Sequence, residues 1–253
     1  CFNIDKFKQE IKYLYDNGFD ISLIKVSPKC HIITDTHLKQ TDNETVSTST
    51  GIAPCYKDKY ARVGTQAKDY PELQDYIFNE ELCGNILCEG AQGFYLDINY
   101  GNYPYVTSSH TLPYDCCSLG FSPKLIRNIY GACKIYDTRA GYDPEFPESL
   151  LEDNNLSKLC ELGEEYGTTT GRKRVTNWLN LDKLINAINI SGTTHVYISK
   201  IDIIQQLDVY KLFSNNVIVS FENFETLKQY IVSSIMKSTI VKNIEFSGHK
   251  EQL

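Results

Sequence analysis

Three threonines, a glycine and three cations fall within the seven residues "TTTGRKR", 168–174. Hydroxyls and the backbone N–H groups around Gly171 can cradle an anion. Arg172 and Arg174 can each fork onto a carboxylate or phosphate. A solvated basic loop ahead of a helix is the competing reading, and the residues alone leave both open. A second candidate is "SKID", 199–202. The carboxylate of Asp202 can accept two N–H donors from a guanine edge while the aliphatic stem of Lys200 lies over the ring. A strand-end charge pair explains the same spacing, since Lys-x-Asp is common. Ser247 and Gly248, in "EFSG", could flank the same base.

The most specific stretch is "CEGAQGFYLDINYGNYPYVTSS", 88–109. Two glycines frame Gln92, so backbone can approach a ligand closely there. Gln92 offers both a donor and an acceptor to a phosphate or sugar. Tyr103-Pro104-Tyr105 then leads into the hydroxyls of Thr107, Ser108 and Ser109. In "STGIAPCYKDKYAR", 49–62, Arg62 follows a Lys-Asp-Lys run, and Ser47 and Thr48 lie just before. A phosphate contact and a helix start with a wet face fit this stretch equally. His31 and His110 neighbour these segments, while His37, His195 and His249 read as ordinary polar positions. None pairs with a serine or cysteine in a nucleophile motif.

The elements that must position these groups alternate between helix and strand. Phe7, Ile11 and Leu14 fall at helical spacing, with Gly18 as a stop. Residues 21–26, 85–90, 132–139, 195–202 and 239–248 read as strands. Residues 122–131, with Pro123 in the first turn and Gly131 at the end, read as a helix. So do 156–167, 181–190 and 224–237. Alternation predicts an α/β fold, a mostly parallel central sheet flanked by helices. Ligands bind such sheets at the carboxyl ends of the strands. "EGAQG", "TRAG", "SKID" and "FSG" all sit at the ends of predicted strands.

Composition narrows the partners. The chain has 253 residues, 42% of them hydrophobic, and a formal net charge of −7. That supports one sizeable core and argues against a general electrostatic grip on nucleic acid. The nine cysteines show no C-x-x-C pairing. An odd count without a signal peptide reads as a reduced cytoplasmic chain. No apolar run approaches the roughly 20 residues of a membrane helix. The chain opens on Cys1 and runs almost at once into a helix pattern, from which a missing front segment is expected.

These motifs, in this order, resemble adenylosuccinate synthetase over most of the chain, from about Asp5 to Gly248. The family's "EGAQG…LD…G.YP.VTSS" block stands as Glu89 to Ser109. "TRVG.GPFPTE" is echoed by Thr138-Arg139-Ala140-Gly141 and Phe146-Pro147-Glu148. "GTTTGR.RR.GWLD" matches Gly167 to Asn180, with Trp178 and Leu179 in place, and "TKLD" matches Ser199 to Asp202. The resemblance implies a P-loop-NTPase-like fold, residues 1–253 forming a single synthetase domain. It also implies a ligase that uses GTP and Mg2+ to join aspartate to IMP through a 6-phosphoryl intermediate. Thr48, Gln92, Thr107 and Arg172 then correspond to IMP contacts. Arg62 corresponds to an arginine reaching into the partner subunit's IMP site, which implies a homodimer. Thr168, Thr169, Thr170, Gly171, Arg172, Lys173 and Arg174 correspond to the loop that closes on aspartate, Arg174 also facing GTP. Lys200, Ile201, Asp202, Ser247 and Gly248 correspond to the guanine pocket.

The chain departs from the family in three ways. The "QWGDEGKGK" phosphate loop and "GGxNAGHT" segment, with the catalytic Asp and His and the main Mg2+ contacts, are not in it, so the chain by itself is expected to be inactive. The family's "TTGRGIGP" is "STSTGIAP", placing Thr50 at an arginine position. The stretch from Arg62 to Glu89 is short, as in archaeal-like and phage forms. Two alternatives follow: a 2-aminoadenylosuccinate synthetase acting on dGMP, and a non-catalytic nucleotide-binding or dimerising remnant. Lys200 and Asp202 favour GTP as donor, and so the IMP enzyme.

Overall fold

The computed structural model describes residues 1–40, 50–167 and 171–248. Thr48, Thr168, Thr169, Thr170 and His249 lie outside them. The chain divides into two compact units, Cys1–Glu89 with Val106–His110, and Gly90–Tyr105 with Thr111–Leu253.

The first unit is built from short helices and turns. Helix α1 (Ile4–Asp16) starts where Asn3 Oδ1 accepts from the backbone N–H of Lys6 at 2.9 Å. Such a cap satisfies one of the orphan donors of a first turn. Phe7 stacks obliquely on Phe2 and edge-on to Tyr76. It thereby joins a small core of Ile4, Val26, Ile32, Ala67 and Leu73. The strand expected at 21–26 is instead a 3-10 turn at Ile21–Leu23. Asp20 takes the N–H of Ser22 at 3.0 Å, a local bond that competes with strand pairing. Only Val26 pairs, in a single bridge to Ile77. Residues 85–90, also expected as a buried strand, are irregular and exposed, with Leu87 84% accessible.

Helices α2 (Asp35–Lys39) and α3 (Ile52–Ala61) are joined by His37. Its Nδ1 accepts from the Thr34 N–H at 3.0 Å, so Nε2–H donates to Asp58 at 3.0 Å. His37 is therefore a buried structural pin rather than an ordinary polar position.

The second unit carries the sheets. The strand expected at 132–139 breaks at Ile135 into β1 (Tyr130–Lys134) and β2 (Tyr136–Arg139), which belong to different sheets. Strand β1 pairs in parallel with β4 (His195–Ser199), and β4 with β7 (Asn243–Phe246). Strand β2 runs antiparallel to β3 (Val175–Asn180), which is parallel to β5 (Tyr210–Ser214). β5 is antiparallel to β6 (Val217–Phe221). The fold is thus α/β, with a fully parallel sheet and a mixed one.

Helices α4 (Asn154–Leu162), α5 (Leu181–Ser191), α6 (Ile201–Leu207) and α7 (Phe224–Ser238) supply apolar faces to one core. Leu159, Ile198, Ile204, Leu212, Ile231 and Ile235 are fully buried in it. Two expected helices fall short. In 122–131 only a 3-10 turn forms at Pro123–Leu125, with Leu125 exposed and offering no packed face. Helix α4 stops before 167 at Gly163, where a side chain would overlap the Tyr136 hydroxyl, and Glu164 turns left-handed (φ 50°). Among the described residues no helix is long and apolar enough to cross a membrane.

Candidate functional site

The parallel sheet brings its strand ends to one edge. Lys134 registers with Ser199, and Ile198 with Phe246. Beyond β4, Lys200 turns left-handed (φ 66°) and heads α6, which puts Asp202 in the first helical turn. Beyond β7, the Ser247 N–H donates to the Ile198 carbonyl at 2.9 Å, and the Ile201 N–H donates to the Ser247 carbonyl at 3.3 Å. Backbone bonds thus bring Ile201 and Ser247 together, with Lys200, Asp202 and Gly248 next to them in sequence. Asp202 Oδ1 is buried with no hydrogen-bond donor among the described residues. A buried acceptor left without a donor costs on the order of 1–3 kcal/mol, so the position suits a ligand that brings an N–H.

Residues 165–167 and 171–174 pair as the arms of a narrow hairpin. The Arg174 N–H donates to the Glu165 carbonyl at 2.9 Å, and Tyr166 bridges Lys173. The Gly167 N–H donates to the Arg172 carbonyl at 2.8 Å, and Gly171 (φ 63°) turns the chain back. Arg172 and Lys173 are exposed. The root of the hairpin is a buried carboxylate: Glu165 accepts from Lys134 Nζ at 2.5 Å, the Tyr136 hydroxyl at 2.8 Å and the Arg174 guanidinium at 3.1 Å. Burial alone would raise the pKa of Glu165. The bonds from Lys134 and Tyr136 and the charges of Lys134 and Arg174 outweigh it and hold the carboxyl below its ordinary range. Lys200 Nζ reaches the same turn, donating to the Gly163 carbonyl at 3.0 Å.

The glycine-rich stretch is anchored from both ends. Gln92 is exposed in the left-handed region (φ 75°) between glycines that meet nothing nearby. Asp97, wholly buried, accepts from the N–H groups of Asn99 at 2.8 Å and Thr111 at 2.7 Å. Asn102 donates to Asp143 at 2.8 Å, and Asp143 pairs with Arg139 at 3.3 Å. Arg139 in turn donates to the Tyr105 carbonyl. Arg139, part of the echoed "TRAG", is therefore a buried clamp on the 102–105 turn.

Arg62 and Thr107 belong to the first unit. Arg62 is exposed and left-handed (φ 63°) at the end of α3. Thr107 is partly buried. Among the described residues no group of three or more His, Cys, Asp or Glu side chains is arranged to hold a metal ion. Glu165, Lys134, Tyr136 and Asp143 were not singled out from the sequence, and Asp97 and Arg139 stood there only as members of quoted motifs.

Polar loops at the carboxyl ends of a parallel sheet, with an orphaned buried carboxylate oxygen among them, define an α/β protein of the ligand-binding kind. The family model for adenylosuccinate synthetase matches residues 1–83 and 72–250. The chain belongs to the adenylosuccinate synthetase family.

Among its relatives, the adenylosuccinate synthetase of Malacoplasma penetrans is 31% identical over 90% of this chain and 66% of that protein. That of Porphyromonas gingivalis is 32% identical over 81% and 62%. The chain thus spans about two thirds of the length of these relatives. In structure it is similar to the fully ligated adenylosuccinate synthetase of Plasmodium falciparum. The TM-score is 0.76 at 24% identity, covering 93% of this chain and 79% of that one. The cyanophage S-2L succinoaminodeoxyadenylate synthetase bound to dGMP and dATP superposes with a TM-score of 0.66 at 17% identity, covering 98% and 71%. The fold expected from the sequence motifs is the one found.

Proposed function

We propose that the protein is a GTP-dependent ligase joining aspartate to IMP, with residues 1–253 acting within one synthetase domain. GTP transfers its γ-phosphoryl group to the 6-oxygen of IMP, leaving GDP. The aspartate amine then attacks C6 and inorganic phosphate departs, giving adenylosuccinate. The observation that carries the reading is the buried Asp202 Oδ1, without a donor among the described residues, beside Ser247 and Gly248. A guanine edge offers N1–H and an exocyclic N–H, the two donors a carboxylate there would accept.

In this reading Ile201, Ser247 and Gly248 supply backbone walls to the base. Arg174 faces the GTP phosphates. Thr168, Thr169, Thr170, Gly171, Arg172 and Lys173 grip the aspartate carboxylates. Thr48, Gln92, Thr107 and Arg172 are each read as IMP contacts on the family resemblance, and Arg62 as serving the partner subunit's IMP in a homodimer. The left-handed Gln92 between two open glycines leaves its amide and backbone accessible to a phosphate or sugar. Mg2+ enters only as companion of the GTP phosphates, and the described side chains offer it no cluster. A cytoplasmic setting follows from these substrates.

The test is the natural full-length protein mixed with IMP, aspartate and GTP, followed by the absorbance of adenylosuccinate. Product that needs all three supports the ligase. No product, with guanine nucleotide still bound, leaves a non-catalytic binding protein. Turnover with dGMP in place of IMP makes it the 2-aminoadenylosuccinate enzyme.

A further inference from the structure

Glu165 takes no part in the contacts assigned above, yet it is the most heavily engaged carboxylate at the sheet edge. Its side chain is 3% exposed, against 24% for Lys134 and 27% for Arg174, the two cations it holds. An anion arriving from solvent therefore meets the cations and not the carboxylate. One negative charge against two positive ones leaves the hairpin root net positive. The donors come from three elements: Lys134 from β1, Tyr136 from β2 and Arg174 from the returning arm of the hairpin. The backbone repeats the tie, with the Arg174 N–H on the Glu165 carbonyl. Two residues earlier, the Gly163 carbonyl receives Lys200 Nζ, so the same turn also fixes the lysine beside Asp202.

We infer that Glu165 is a positioning residue. It presets the Arg174 guanidinium for an anionic ligand, with Lys134 as a second cation kept at the hairpin root. A free arginine side chain would lose rotamer freedom on binding, and a preset one has already lost it. The inference rests on the reading of Arg174 as a GTP contact, and it is tested in the natural full-length protein by two readouts.

The first needs no ligand. Trypsin must take an arginine into its pocket, and in the wild type Arg174 is engaged. Glu165→Gln keeps an acceptor for Tyr136 and removes the charge. Cleavage after Arg174 is expected to rise at least about fivefold, compared at a temperature where both proteins are fully folded. The second is a double-mutant cycle on GTP binding by calorimetry. Glu165→Gln is expected to weaken binding roughly 10- to 100-fold in the wild-type background. With Arg174→Ala already present, the further change should be less than about twofold. Tyr136→Phe, which removes a neutral donor only, should bind GTP as the wild type does. If Glu165→Gln does not fold, Glu165→Asp runs the same two tests with a smaller expected effect. Additive losses in the cycle, or unchanged cleavage after Arg174, overturn the inference. A wild type that fails to bind GTP overturns the ligase reading instead, and the cleavage result then decides the role of Glu165.

Discussion

The two units hold themselves together by different means. In the second, parallel and mixed ladders are covered by α4 to α7 over one broad core. In the first, isolated bridges, 3-10 turns and side-chain caps surround a core of Ile4, Val26, Ile32, Ala67 and Leu73. Candidate ligand groups follow the same division. Lys200 to Asp202 and Ser247 to Gly248 hang from ladder-paired strands, whose register leaves them little freedom. Arg62 sits at a helix end, exposed. A base reader needs fixed geometry, whereas an arginine offered to a phosphate can be delivered by a flexible side chain.

Core truncations test this contrast most strongly. Ile231→Ala, at a fully buried site of α7, should cost about 3–5 kcal/mol by urea denaturation. Leu73→Ala, in the small core, should cost about 2–3 kcal/mol, because thin surroundings collapse more readily around a cavity. Equal costs would erase the contrast.

A smaller effect sits in β2. Asp137 accepts the Asn180 N–H at 2.9 Å, and burial pushes its carboxyl up to about 6, against the pull of Asn180 and Lys183. Its folded pKa lies above its unfolded one, so the folded state holds the proton longer. Stability due to this group falls as pH rises from about 4 to 6 and stays low above. Asp137→Asn keeps the acceptor and removes the penalty. The variant should be more stable at pH 7.5 by on the order of 1–3 kcal/mol, with the gap closing below about pH 4. A gap that persists at pH 3 would contradict the assignment.

The smallest effect belongs to the first unit. His37→Ala removes the acceptor of the Thr34 N–H and the donor to Asp58, and should cost about 1–2 kcal/mol. Hydrogen exchange in α2 and α3 should speed up while β4 is unaffected.

The sequence made the second unit more legible than the first. The spacing in 181–190 and 224–237 predicted α5 and α7 closely, whereas the strands expected over 195–202 and 239–248 shrink to β4 and β7, with "SKID" and "FSG" at their ends. Apolar runs misled where tertiary context decides. "NILCEG" has the composition of a strand but no partner, and lies exposed. "ACKIYDTR" is one run in sequence and two strands in space, because Ile135 passes the chain from one sheet to the other. The Glu165 cluster was hidden for a similar reason. Its members lie 31 and 29 residues from Glu165 at Lys134 and Tyr136, and only the β1–β2 break brings them to the hairpin root.

The most direct test of the central claim is the nucleotide preference of Asp202→Asn. The wild type should prefer GTP, with the guanine N–H groups satisfying the buried oxygen of Asp202. In the variant the side-chain amide can donate to the 2-oxo group of xanthine and accept from its N1–H. GTP binding should weaken by roughly 30- to 1000-fold, a loss on the order of 2–4 kcal/mol, while XTP binding strengthens. An unchanged preference for GTP would contradict the placement of the base at Asp202.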